Sequence, residues 1–332
     1  MDSQDLRLGD LLTTASALRK QTLCAIAIIG VPQHIGVERN GGRPGAAGAP
    51  LAIRNALYRM ATSAIVDVML DHRLVVIDMG DIDTESKTLE QIHDQQHDVV
   101  VACMQSGMVP LVLGGGHDVA WPTIHALNTI GASYGVINID AHADVRPMKE
   151  SLPSDTVTNS AHPYAHSGSP FRQMLEAPSS TLADGAFVEF GLQPHAVSAA
   201  HLEYVASKGM DFMMLDDIRT AGVAQAWATA LRRATGHATD GAPNSAVAEA
   251  LYVSLDMDAF ASAYAPGVSA PSADGFLPHE IATCLRIAGS EPTLRAFDVV
   301  EVNPAYDVDN RTSKLAATMI MQLLSGIAQR LR

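Results

Sequence analysis

The sequence predicts one α/β domain in three layers: an eight-stranded, mostly parallel sheet covered by helices on both faces. Three observations predict it. Apolar runs recur eight times along 332 residues, segments of helical period lie between several of them, and no linker divides the chain. Hydrophobic residues make up 47% and charged residues 17%, which supports a large core and excludes a disordered or coiled-coil chain.

The elements follow in order. Residues 1–20 are expected to be an N-terminal extension, free to be flexible, outside a domain of residues 21–332. Strands are expected at 23–30, 73–78, 109–113, 134–139, 187–191, 211–215, 250–255 and 294–300. Each is an apolar run of strand length, as parallel strands buried on both faces require. Among the helices, Ile53, Leu57, Met60 and Ala61 share one face, with Pro50 near the start where a missing N–H costs nothing. Ile92, Val99, Val100 and Cys103 share another, closed by Gly107. Ala316, Ile320, Leu324 and Ile327 repeat the pattern at the C-terminus. Segments 147–170 and 236–246 are rich in Ser, Pro, Gly, Ala, Thr and Asn and read as loops inside the domain.

Bulk properties narrow the partners. A net charge of −14 disfavours nucleic acid and anionic membrane. The apolar stretch 24–31 is far short of a membrane span, and the acidic residues before it are unlike a secretory signal. Cys24, Cys103 and Cys284 lie far apart with no CxxC pairing, which reads as reduced thiols in a cytoplasmic protein.

Chemistry concentrates in three motifs. After the apolar run Tyr134-Gly135-Val136-Ile137 comes NIDAHAD, with Asp140, His142 and Asp144 at every second residue. Side chains at that spacing share one face of an extended chain. Upstream lies Gly114-Gly115-Gly116-His117-Asp118, whose glycines allow a tight turn and close backbone approach. Downstream lies Ser254-Leu255-Asp256-Met257-Asp258, with Asp256 and Asp258 again two apart. All three motifs end expected strands, where ligand sites gather in open α/β sheets. Two imidazoles and four carboxylates suit a pair of divalent ions, Mn²⁺ first rather than a thiolate-held Zn²⁺. Such a pair lowers the pKa of bound water and polarises the atom under attack. An Asp-x-His-x-Asp run alone is as often a loop with a satisfied histidine. Three such motifs together are not, because buried unpaired carboxylates are too costly to gather without a counter-charge.

The motifs GGGHD, NIDAHAD and SLDMDAF resemble the signatures of the ureohydrolases: arginase, agmatinase and formimidoylglutamase. The resemblance runs from about residue 30 to residue 324. Four segments are similar to the formimidoylglutamase branch: GVPQHIG at 30–36, GRPGA at 42–46, APGVSAP at 265–271 and DVDNRT at 307–312. It implies an arginase-like fold and a homo-oligomer, trimer or hexamer. It further implies two metal ions held by His117, Asp140, His142, Asp144, Asp256 and Asp258, with Asp140 and Asp256 as bridges.

The same resemblance makes Glu301, in Glu301-Val302-Asn303-Pro304, the substrate-binding glutamate. A carboxylate at a strand end suits a cationic amidinium. Arginases and agmatinases carry a His-Gly motif that supplies a proton-shuttling histidine. Here the stretch reads His166-Ser167-Gly168-Ser169-Pro170, similar to the Ser-Gly form of formimidoylglutamases, with the histidine one residue early. Asp144 or His166 is expected to pass the proton to the leaving amine. Arg146 and Arg172, with Ser167, are the expected binders of substrate carboxylates, and Arg43 and Arg311 are second choices.

The expected reaction is N-formimidoyl-L-glutamate plus water giving L-glutamate and formamide, a step of histidine degradation. The alternatives are a ureohydrolase acting on a guanidino substrate such as arginine, agmatine or guanidinobutyrate, and a non-catalytic, metal-stabilised subunit. The latter would lack a ligand, and all six are present.

Overall fold

A computed structural model describes residues 5–151, 163–236 and 247–332. The strands are β1 (Cys24–Gly30), β2 (Leu74–Asp81), β3 (Val109–Leu113), β4 (Tyr134–Ile139), β5 (Leu182–Leu192), β6 (Asp211–Met214), β7 (Ala250–Asp256) and β8 (Leu294–Val300). They form one sheet in the order β2-β1-β3-β8-β7-β4-β5-β6, every pair parallel. All eight expected strands are present. β5 starts five residues before the expected 187, because Asp184 and Gly185 interrupt the apolar pattern that marks its second half. β2 runs on to Asp81 because its last residues, exposed on the sheet edge, needed no apolar side chains.

Alternate residues of the strands feed two cores. Ile26, Ile28, Leu111, Leu113, Val253 and Leu255 face one, which is covered by the helices Ala49–Leu57, Val223–Thr235, Pro278–Ser290 and Arg311–Leu331. Ala25, Ala27, Ile29, Val112, Val136 and Tyr252 face the other, under the helices Leu89–Gln105 and Ala120–Ile130. Three layers result. Thr88 and Gln91 cap the Leu89–Gln105 helix reciprocally, and Gly107, at φ +77°, lets the chain leave it.

The first helical pattern stops early. The Ala49–Leu57 helix ends before Met60 and Ala61, and Ala61 is exposed. The N-terminal segment explains this, since Leu8 and Gly9 donate their N–H groups to the carbonyls of Met60 and Tyr58. Leu8 is fully buried there, and Thr13 donates to Val76. Of the two expected loops, residues 152–162 and 237–246 lie outside the described residues.

The four central strands β3, β8, β7 and β4 are adjacent. Their carboxyl ends lead into His117, Glu301, the Asp256/Asp258 pair and the segment Asp140 to Asp144. Strand order alone therefore converges the motifs.

Candidate metal centre

The three glycines seat His117 against a neighbouring loop. A Cβ on Gly115 would lie 1.7 Å from the Gln33 carbonyl oxygen, so only glycine fits. Asp118 turns the other way and accepts Gln33 Nε2 and His93 Nε2, each at 2.8 Å. His117 is left facing the strand ends.

His117 Nδ1 lies 3.2 Å from Asp140 Oδ2, 3.0 Å from Asp144 Oδ2 and 3.1 Å from Asp256 Oδ2. His142 Nδ1 lies 3.4 Å from Asp140 Oδ1 and 3.1 Å from Asp258 Oδ2. Two groups able to hold a cation follow: His117, Asp140, Asp144 and Asp256, then Asp140, His142 and Asp258. Asp140 belongs to both, one oxygen toward each histidine. Asp256, expected as a second bridge, is grouped with the first set alone, with its Oδ2 toward His117 and its Oδ1 accepting the Asp258 N–H at 2.7 Å.

The electrostatics describe a site with too much negative charge. Burial disfavours a charged His117, but Asp140, Asp144 and Asp256 override it and raise its pKa well above the usual value. Asp258 does the same for His142. Asp256 is pushed well up by burial and by Asp258 and Asp140, and Asp258 is pushed up to about 6, also by burial first. Among the described residues, the buried His117 Nδ1, Asp258 Oδ1 and Glu301 Oε2 have no hydrogen-bond partner. A nitrogen lone pair surrounded by carboxylate oxygens fits a divalent cation.

Glu301 closes the floor. It leaves β8 at φ +63°, donates its N–H to Gly115 and accepts the His117 N–H through Oε1 at 2.9 Å. Burial, aided by Asp258 and Asp144, pushes its pKa up to about 8. Asp144 also sits in the left-handed region, at φ +44°. Both residues are held in sparsely populated conformations, each costing about 1 kcal/mol or more.

A cavity of about 270 Å³ opens above, lined by Asn40, Arg43, Arg146, Ser167 and Ser269 with His142, Asp144, Asp256, Asp258 and Glu301 at its base. Arg146 makes one long bond there, Nη1 to Asn40 Oδ1 at 3.4 Å, and Ser167 Oγ accepts Asn40 Nδ2 at 3.1 Å. Arg43 is anchored by the carbonyls of Val268 and Ser269 and lies 4.0 Å over the Tyr306 ring.

Three expectations are corrected. Arg172 does not line the cavity: its Nε donates to Glu176 one helical turn on, at 2.7 Å, and its guanidinium lies 3.9 Å over Tyr204. His166 does not line it either. Its Nε2 bonds the Pro147 carbonyl at 3.0 Å and its Nδ1 accepts the Gly168 N–H at 3.2 Å, so both ring nitrogens are committed. Arg311, a second choice, donates to the Ala263 carbonyl and is likewise outside.

The sequence reading missed Asn40 and Ser269 at the cavity wall, and Asn138, Glu189, Ser254 and Asp298 beneath the cluster. Asp298 carried a signal, being a lone carboxylate in the apolar run that became β8. The wall residues carried none, since loops far apart in sequence bring them together.

A parallel α/β sheet whose central strand ends gather histidines and aspartates around an anionic cavity defines a class of metal-dependent enzymes. The chain belongs to the arginase family, whose model matches residues 24–326. It is similar to the formimidoylglutamase of Streptococcus pyogenes serotype M3, 33% identical over 310 residues that span 91% of this chain and 85% of the relative. Among solved structures it resembles Trypanosoma cruzi formiminoglutamase with two Mn²⁺ ions, at a TM-score of 0.82 and 32% identity over 98% of this chain and 99% of the other. Bacillus subtilis formimidoylglutamase shares the fold, with a TM-score of 0.81 at 23% identity over 99% of this chain and 94% of the other.

Proposed function

We propose that this chain is a formimidoylglutamase, a binuclear metal hydrolase that converts N-formimidoyl-L-glutamate and water into L-glutamate and formamide. The observation that carries the reading is Asp140, whose two oxygens serve two ligand groups at the base of a cavity with an arginine in its wall. His117, Asp140, Asp144 and Asp256 would hold one divalent ion, and Asp140, His142 and Asp258 the other, Mn²⁺ first among candidates. When bound, the ions supply Lewis acidity and a water of near-neutral pKa.

The chain's own groups do the rest. The unpartnered Oε2 of Glu301 accepts an amidine N–H and orients the formimidoyl carbon. The C–N bond to the glutamate nitrogen breaks, the water oxygen stays on the carbon, and the nitrogen takes a proton. Asp144, partly exposed to the cavity, delivers that proton, since His166 is tied up in its loop. Arg146, supported by Asn40 and Ser167, pairs with substrate carboxylate, and its charge disfavours a cation such as agmatine.

The test is turnover with Mn²⁺ across formimidoylglutamate, arginine, agmatine and guanidinobutyrate. Formamide release from the first is expected. Urea release from a guanidino compound, without formamide, overturns the assignment.

Residues 21–332 as the catalytic domain, with the preceding segment packed on it through the buried Leu8, a homo-oligomeric trimer or hexamer, and a cytoplasmic location complete the proposal. Buried free thiols support the location. No helix among the described residues is long and apolar enough to cross a membrane. Sedimentation of the purified protein tests the assembly.

A further inference from the structure

One row of the sheet, two residues beneath the ligands, is polar across four strands. Glu189 on β5 pairs with Asn138 on β4, Asn138 with Ser254 on β7, and Ser254 with Asp298 on β8. All four are completely buried. The strands around them are apolar, so such a row is costly unless its hydrogen bonds do something specific.

Counting protons shows what one half of it does. Both oxygens of Asp298 accept: one takes the Tyr252 hydroxyl, the other the Ser254 hydroxyl at 2.6 Å. A serine has one proton to give. With that proton on Asp298, Ser254 Oγ can only accept from His117 Nε2, 2.9 Å away. A neutral His117, the form that ligates a cation, therefore carries its proton on Nε2 and presents an Nδ1 lone pair to Asp140, Asp144 and Asp256. His142 has no such relay among the bonds of the described residues, and 24% of its side chain is exposed.

We propose that Asp298, acting through Ser254, is a positioning residue that fixes the His117 tautomer and sets the affinity of the His117, Asp140, Asp144, Asp256 group for its ion, leaving the His142 group untouched. This rests on the metal-binding reading above. Asp298→Asn is the informative change. An asparagine replaces one accepting oxygen with an NH2 group; with that group toward Ser254 it donates to the serine, turns the serine proton toward His117 and forces the imidazole proton onto Nδ1. Ser254→Ala leaves Nε2–H without a partner and lets the ring drift. Ser254→Thr keeps the hydroxyl.

The experiment is Mn²⁺ titration of the full chain with metal content by mass spectrometry, the Mn²⁺ electron paramagnetic resonance spectrum, and a circular dichroism check of folding. In Asp298→Asn and Ser254→Ala, affinity for one ion is expected to fall about 10- to 100-fold, the range for groups that orient a metal-bound histidine. At limiting metal the content falls from two ions toward one, and a spin-coupled pair spectrum gives way to an isolated Mn²⁺ spectrum. Ser254→Thr restores the pair. Folded Ser254→Ala protein that binds both ions as the parent does overturns the proposal, and so does equal weakening of both. A parent chain that binds no divalent ion overturns the metal-binding reading instead, which separates the two failures. Should Asp298→Asn fail to fold, Ser254→Ala and Ser254→Thr still decide.

Discussion

Asp140 accepts the backbone N–H of His142 through Oδ1 at 2.7 Å, and this bond turns the end of β4 so that the His142 imidazole comes back to the same carboxylate. Asp256 and Asp258 repeat the turn at the end of β7, again at 2.7 Å. The i, i+2 spacing thus works through a turn rather than through continued strand, and Asp140 Oδ2, which accepts Asn138 Nδ2 at 3.3 Å, faces His117. Asp140→Ala removes an oxygen from each ligand group. We expect both ions to be lost and activity to fall by about 10³ or more, several kcal/mol of transition-state stabilisation. Asp258→Ala spares the His117 group, so metal content should fall from two ions to one. Equal metal content in the two variants would contradict the shared role of Asp140.

Chelation should soften the fold as well as stop turnover. Asp256 and Asp258 are held above their usual carboxylate range by burial and crowding, so the ion-free cluster carries repulsion that a cation relieves. A ligand at about 100 times its Kd adds about 2.7 kcal/mol. For a chain of this size that is on the order of 5 °C in Tm. Differential scanning calorimetry with EDTA and then with excess Mn²⁺ should show a reversible rise of that order. A Tm indifferent to Mn²⁺ would count against the site.

The strands were legible because parallel strands buried on both faces must be apolar throughout, and the ligand motifs because each follows such a run. Where those conditions lapse, so does legibility. Asp184 and Gly185 hid the first half of β5, and the carbonyls taken by Leu8 and Gly9 ended the first helical pattern before Met60. Residue type also misled where geometry decides. Arg146 and Arg172 look alike in sequence, yet Arg172 starts a helical turn that ends in Glu176 and never reaches the cavity. Ser254 and Asp298 gain their meaning from strand register, which no local pattern announces.

That contrast gives a paired prediction. Arg146→Ala should raise KM for formimidoylglutamate about 10- to 100-fold with a small change in kcat, as loss of a charged hydrogen bond worth about 1.5–3 kcal/mol implies. Arg172→Ala should leave both constants within about twofold, because the residue binds Glu176 and Tyr204 instead of substrate. Steady-state kinetics decide, and a larger KM effect from Arg172 would reverse the assignment.

His166 separates a structural from a catalytic histidine by pH. Burial lowers its pKa below the ordinary 6.5, against weaker opposing effects from Pro147 and Asp144. The unfolded chain therefore binds the proton more readily than the fold does, and stability falls as pH drops through about 6.5 and is unaffected well above it. Its ring holds the loop through Pro147 and Gly168, beside Ser167 in the cavity wall. His166→Gln should accordingly lower Tm at pH 8, lose less further Tm than the parent on going to pH 5.5, and keep activity within about tenfold. A proton-shuttling residue would instead cost about 10² or more in kcat and remove a limb of the pH–rate profile. Thermal melts at the two pH values, run beside kcat against pH, distinguish a loop staple from an acid–base group.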